Sequence, residues 1–292
     1  MITLQQLKYF RDVAKNGHLT QTAEKLYITQ TTLSNTIITL ERQLGVKLFD
    51  RVGRSLQLSE IGALYFKYVN EALLLLDNAQ SAVDDYKANA QLAVSVAMTN
   101  STIWADLIQG YRTMFPDYNI RQIGCERTAF RDMLMNQEID FVIAGIEDLN
   151  LTGLEYHILR DETLYLCVSH GHPLSQRESI YMAEAKDESF ISLPPSNGFR
   201  LFCDNLFRKL GIECNVAIEC DYTLRGKLVE AGFGVAVTTH TSFSQNMLGT
   251  NIAYIPIADD CAQRPIAIIW NPNHYLSRAA VDFREYVFRT VQ

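Results

Sequence analysis

Gln30, Thr31, Thr32, Ser34 and Asn35 crowd amide and hydroxyl side chains into little more than one helical turn. Such groups donate and accept hydrogen bonds at the edges of bases in a major groove. Leu33, Ile37, Leu40 and Leu44, spaced 4, 3 and 4, predict that the opposite face of the same helix is buried. Thr29 suits its N-cap and Gly45 its end. In LFDRVGRSLQLS (48–59), Arg51 and Arg54 flank a turn at Val52-Gly53. A two-stranded wing there would set two cations against phosphates. The pattern by itself equally fits a three-helix bundle with a solvated polar face, or a head that binds a protein partner.

A second group could hold an anion. Thr99-Asn100-Ser101-Thr102 follows the strand-like LAVSVAM (92–98) and opens a helix through Leu107, Ile108 and Tyr111. Hydroxyls and free N–H groups at a helix start form an anion site, though plain capping explains them too. The segment Pro194–Arg200 is its counterpart: Ser196 or Asn197 caps, Phe199 supplies an apolar wall and Arg200 a counter-charge. Gly145 and Cys125, each after a strand, would line the floor. No catalytic residue, metal or cofactor is expected, and the chain does not read as an enzyme. It has no G-x-S-x-G and no CxxC. His170 and His172 lack a third ligand nearby, and Gly232-Phe-Gly234 has a helix before it and a strand after, the reverse of a dinucleotide loop.

Two domains must position these groups in 292 residues. With 48% apolar and 20% charged residues, disorder and low complexity are excluded. No apolar run reaches membrane-spanning length, and MITLQQLKYF lacks a basic region followed by an apolar core, so no membrane partner and a cytoplasmic location are expected. The six cysteines read as reduced thiols. Net charge is −7, which argues against nucleic acid until it is divided. Residues 1–58 carry eight Lys/Arg against four acids, whereas 59–91 and 92–292 are both acidic. A basic head on an acidic body suits a DNA-binding end.

Leu4, Leu7, Phe10, Val13 and Ala14 mark a first helix that Gly17 ends, and Thr20 suits the cap of a second. Residues 59–91 form a connector. Tyr65, Val69, Ala72, Leu76, Ala79, Val83 and Tyr86, spaced 4, 3, 4, 3, 4, 3, predict a seam against another helix, and so a dimer. Beyond it, IDFVIAG, TLYLCVS, SFISL, GVAVTT and PIAIIW alternate with helical stretches, which predicts a mostly parallel α/β sheet.

Residues 22–62 resemble the LysR-type transcriptional regulator family through Ala23, Leu26, Gln30, Ser34, Leu40-Glu41, Leu44-Gly45, Leu48-Phe49, Arg51, Leu58 and Gly62. EIDFVIAG, SHGHPLS, LVEAGFGVAV and a closing helix after Ser277 continue the match. Thr22, Thr31 and His18 depart from the family's usual Ala, Pro and Ser, which bears on base preference. The resemblance implies an α+β multidomain chain: a winged helix-turn-helix DNA-binding domain (1–58), a linker helix (59–91) and an effector-binding domain (92–292). The last would have two lobes like a periplasmic binding protein, 92–161 with 266–292 and 162–265. It implies double-stranded DNA with an inverted repeat as a partner, a homodimer or homotetramer, RNA polymerase, and a small-molecule effector, here an anionic metabolite. One branch of the family senses peroxide through two cysteines, so Cys203 and Cys214 form an alternative, although their spacing does not match that branch.

Overall fold

The computed structural model describes residues 1–52, 55–86, 92–98, 104–124, 127–147, 149–239 and 251–291, with the backbone alone at 51, 52, 55 and 84–86. The chain forms two compact units, Met1–Lys87 and Ala88–Gln292. Residues 59–87 of the connector fall within the first of these units.

The first unit runs α1 (Leu4–Asn16), α2 (Leu19–Lys25), α3 (Gln30–Leu44), β1 (Phe49–Val52), β2 (Ser55–Leu58) and α4 (Glu60–Tyr86). Thr3 and Gln6 form a reciprocal capping box at α1, and Gly17 ends it at φ 68°. His18, not Thr20, occupies the N-cap of α2. Thr20 lies inside the helix because the chain turns immediately after Gly17. Tyr27 takes φ 55° in the tight turn before α3. Thr29 caps α3 by accepting from Thr32 N, and Gly45 closes it at φ 73°. Phe10, Leu33, Leu40 and Leu48 are fully buried between these helices.

The wing is tied down on both sides. Leu56 N donates to Gly17 O at 2.9 Å, holding β2 against the α1–α2 turn. Buried Glu41 accepts from Leu48 N at 2.9 Å and from Lys47 Nζ at 2.6 Å. Glu41 thus acts structurally, satisfying a backbone donor where the chain leaves α3.

The observed packing of α4 corrects the predicted seam. Phe10 meets Tyr65 at 5.4 Å and Phe66 at 6.4 Å between ring centroids. Val69 and Leu73 are buried in the same core. Tyr65 and Val69 therefore face the chain's own head, because the first turns of α4 continue its hydrophobic core. Ala72, Leu76, Ala79 and Val83 remain exposed, joined by Leu64, Tyr68 and Leu75.

The second unit runs β3 (Ala93–Met98), α5 (Ala105–Met114), β4 (Asn119–Ile123), α6 (Phe130–Met135), β5 (Phe141–Gly145), β6 (Glu155–Ser169), β7 (Ser189–Ser192), α7 (Gly198–Leu210), β8 (Asn215–Glu219), α8 (Tyr222–Glu230), β9 (Ala236–Thr239), β10 (Ile252–Pro256), β11 (Gln263–Trp270) and α9 (Arg278–Thr290). The main sheet is mixed, not mostly parallel. β3 pairs parallel with β4 and β5, while β11 pairs antiparallel with β5 and β6. The reason is β6: a single 15-residue strand serves two lobes. Through Thr163 it pairs with β11, and from Leu164 it pairs with β9 and β10 instead. A strand that leaves one lobe for the other must be met by a returning strand of opposite direction.

The first lobe buries Leu107, Tyr111, Phe283 and Val287 on one sheet face, and Phe130 and Leu134 on the other. The Tyr111 hydroxyl donates to Ala279 O at 2.7 Å. The second lobe packs α7 through Phe199, Cys203, Leu206 and Phe207 against Phe190, Val235 and Val237.

Candidate DNA interface and effector cleft

Of the residues assigned to base reading, Gln30, Thr31, Thr32 and Asn35 are exposed and Ser34 is half-buried. The Thr32 hydroxyl lies 2.8 Å from that of Thr29, so part of its hydrogen-bonding capacity serves the cap. Thr36 and Thr39 bond carbonyls one turn back. Gln30, Thr31 and Asn35 make no side-chain hydrogen bond among the described residues and present their groups outward. Of the wing cations, the Arg51 side chain and the whole of Arg54 lie outside the described residues.

In the second unit, Thr99, Asn100, Ser101, Thr102 and Cys125 lie outside the described residues. Asn197 caps α7, its Oδ1 accepting from Phe199 N at 2.9 Å. Ser196 is exposed and makes no capping bond. Arg200 is not the cleft's counter-charge: it is held within its own lobe by Asp204 at 2.7 Å and Glu219 at 2.9 Å.

Sequence reading missed the charges that do meet where the strands cross. Arg264 and Glu162 are cross-strand partners on β11 and β6. Arg264 Nη2 lies 2.6 Å from Glu147 Oε1, and Arg160 Nη2 lies 3.3 Å from Glu162 Oε1. Glu162 and Arg264 are both buried. Gly145 fits directly beneath this group, since a Cβ there would meet Glu147 Oε2 at 2.3 Å and Arg264 Nη2 at 2.5 Å. Aromatic rings wall the cluster: Arg264 sits 5.3 Å from Phe199 and Arg160 sits 5.1 Å from Trp104. Gly198 similarly admits the Arg127 side chain, whose Cδ would be 2.7 Å from a Cβ. Gly145 and Phe199 are thus part of one constellation that also includes Glu147, Glu162 and Arg264, and Asn197 adjoins it through the backbone of Phe199. The sequence signal for it was faint: Glu162 and Arg264 stand just before the apolar runs TLYLCVS and PIAIIW, and Glu147 just after FVIAG.

Other groups are committed to structure. Ser95 and His274 both bond Asp140, at 2.7 and 2.9 Å. The carboxylate stands between serine and histidine, so the histidine cannot take the serine's proton. His172 caps a short helix through Leu174 N and lies 3.3 Å from Glu188. Burial pushes the Cys203 thiol up to about 12 and the Cys214 thiol up to about 11. At neutral pH both stay protonated, the unreactive form.

Residues 4–63 match the bacterial regulatory helix-turn-helix proteins of the lysR family, and residues 88–292 match the LysR substrate binding domain. The chain belongs to the LysR family. It is a LysR-type transcriptional regulator with an effector-binding domain. The HTH-type transcriptional regulator YybE of Bacillus subtilis strain 168 is 30% identical over 97% of both chains. The transcriptional dual regulator GltC of the same strain is 27% identical, covering 98% of this chain and 96% of GltC. Among solved structures, a full-length OxyR variant from Pseudomonas aeruginosa superposes with a TM-score of 0.73 at 21% identity, covering 100% of this chain and 96% of that one. Full-length CbnR in complex with its target DNA gives 0.62 at 21% identity, with 99% of each chain covered. These likenesses concern the fold.

Proposed function

We propose that this LysR-type regulator reads an inverted-repeat operator with Gln30, Thr31, Ser34 and Asn35, assisted by Arg51 and Arg54 on phosphates. The carrying observation is the amide and hydroxyl face of α3, with Gln30, Thr31 and Asn35 exposed and uncommitted. Asn35→Ala is expected to weaken operator binding by about 1–3 kcal/mol and to relax preference at one base pair per half-site. Gel shifts against a single-substitution operator library check this, and an unchanged base preference refutes it. Binding should also fall steeply with added salt, as phosphate contacts require. Its site of action is then the cytoplasm, with RNA polymerase as the further partner at the promoter.

The dimer forms along the outer face of α4. Leu75 is 63% exposed and Tyr68 61%. With Leu64, Ala72, Leu76, Ala79 and Val83, they make an apolar strip too long for a solvated helix. A two-fold pair of α4 helices covers it, and pairing those dimers gives a tetramer. Changing Tyr68 and Leu75 together to Glu should convert the wild-type dimer or tetramer to monomer in sedimentation at micromolar concentration. A wild-type chain that sediments as a monomer refutes the strip.

The effector is a small anion bound where the two lobes of the second unit meet, beside Gly145, Asn197 and Phe199, with Ser196 at the rim. The part assigned to Thr99, Asn100, Ser101, Thr102 and Cys125 remains a proposal from their sequence alone. Support comes from the arginines at this place, Arg127, Arg160 and Arg264, against the carboxylates of Glu147 and Glu162. A thiol switch is not favoured, given the raised Cys203 and Cys214 thiols.

A further inference from the structure

Three arginines of the second lobe and its crossing strands are largely buried, and they differ in how their charge is met. Arg200 has Asp204 and Glu219, and Arg264 has Glu147 with Glu162 at 4.0 Å. Arg225, on α8 and only 2% exposed, has no carboxylate within ion-pair distance among the described residues. Its single hydrogen bond among them runs from Nη1 to Val237 O at 3.2 Å. Nε and Nη2 are buried without an acceptor. Asp221, one turn earlier, is committed to the cap of α8 through Leu224 N at 2.8 Å.

A buried cation left like this is costly, far more so than a buried pair. The two unsatisfied atoms are not a random choice. Nε–H and one N–H of Nη2 lie on the same edge of the planar guanidinium and point the same way, the fork that grips two oxygens of a carboxylate or phosphate. The surroundings fit such a guest. Arg225 lines a cavity of about 20 Å³ with Ser192, Leu193, Phe199, Cys203 and the Arg200–Asp204 ion pair, in which the Asp204 carboxylate is neutralised. That is room for one water or one oxygen of an oxyanion. Tyr222 and Phe199 flank the guanidinium at 5.1 and 6.0 Å. Thr238, beside the accepting Val237 on β9, buries its hydroxyl without a partner. Ser192 and Thr239 end β7 and β9, and ligands of α/β sheets bind at such carboxyl ends.

We propose that Arg225 is the anchor of the effector, gripping an oxyanion group side-on through Nε and Nη2. This rests on the small-anion reading of the second unit and assigns it a residue and a contact. The rest of the effector lies outside the small cavity, against Phe199.

The test uses the full chain, with thermal unfolding followed by tryptophan emission, and acetate, succinate, sulfate and inorganic phosphate as probes at constant ionic strength. At least one probe should raise the wild-type midpoint by about 5 °C or more at a hundredfold excess over its Kd. Carboxylate probes acting alone identify an organic acid, and sulfate or phosphate acting alone identifies a tetrahedral anion. Arg225→Met should raise the midpoint of the free protein and abolish the response, while leaving the operator gel shift intact. Arg225→Lys, which keeps the charge without the fork, should fold and bind the same probe about tenfold more weakly. If no probe stabilises the wild type, both this proposal and the small-anion reading fall. If Arg225→Met or Arg225→Lys responds as the wild type does, the anchor is wrong and the small-anion reading stands.

Discussion

Arg264→Met will destabilise the effector-binding unit by about 3–5 kcal/mol, the range for removing one partner of a buried charge network. The single guanidinium faces Glu147 and Glu162, with side-chain exposures of 8, 11 and 1% respectively. Removing it strands the Glu147 carboxylate and takes from Glu162 one of its two cations, since Arg160 still lies 3.3 Å from Glu162. Urea unfolding followed by tryptophan emission reads this unit alone, because both tryptophans, Trp104 and Trp270, belong to it. Adding Glu147→Gln to Arg264→Met should recover part of the loss, since it removes one stranded charge. A loss below about 1 kcal/mol for the single variant would mean that the cluster is more open to solvent than its burial implies. The consequence reaches function, because the cluster lies where β6 changes partners. Whatever holds these strands also sets how the two lobes of this unit meet.

Gly62→Ala has the second large effect, in the other unit. A Cβ at residue 62 would lie 1.9 Å from the Leu48 carbonyl oxygen and 2.8 Å from its carbon. Both are backbone atoms, so no side chain can rotate away. The same junction carries Ser59 N to Leu48 O at 3.0 Å, Ser59 Oγ to Lys47 O at 2.8 Å and Gly62 N to Ser59 Oγ at 3.0 Å. An added methyl pushes α4 off the segment leading into the wing. The head should lose about 3 kcal/mol or more, at the upper end of overpacking costs. Operator binding should fail while tryptophan-monitored unfolding of the second unit stays unchanged. A Gly62→Ala protein with full operator affinity would show that the junction yields.

The head was largely legible because its contacts are local. The 4, 3, 4 spacing of Leu33, Ile37, Leu40 and Leu44, the Thr29 cap and the Gly45 end all act within one helix, and the structure has them. The linker seam goes wrong at its start for a related reason. A spacing of four and three says that one stripe of a helix is apolar, but not which body covers it. Phe10, 55 residues before Tyr65, decides that the early turns of α4 belong to the head. Arg225 could have been suspected from sequence, since it stands one turn before buried Val229 on the same helical face. Nothing in that spacing shows whether an acid waits opposite.

By itself the sequence determined the family, the helix-turn-helix and which polar residues stand on the outer face of α3. Short-range periodicity and capping are enough for the helices, and the residues of 22–62 that resemble the LysR family are enough for the family. Tertiary structure alone decided that the sheet is mixed, that Arg264 gathers Glu147 and Glu162, and that Arg225 is left without a carboxylate among the described residues. Each depends on residues tens to more than a hundred positions apart. Where a charge finds its counter-charge is set by how strands cross in space, and burial then makes a missing partner matter.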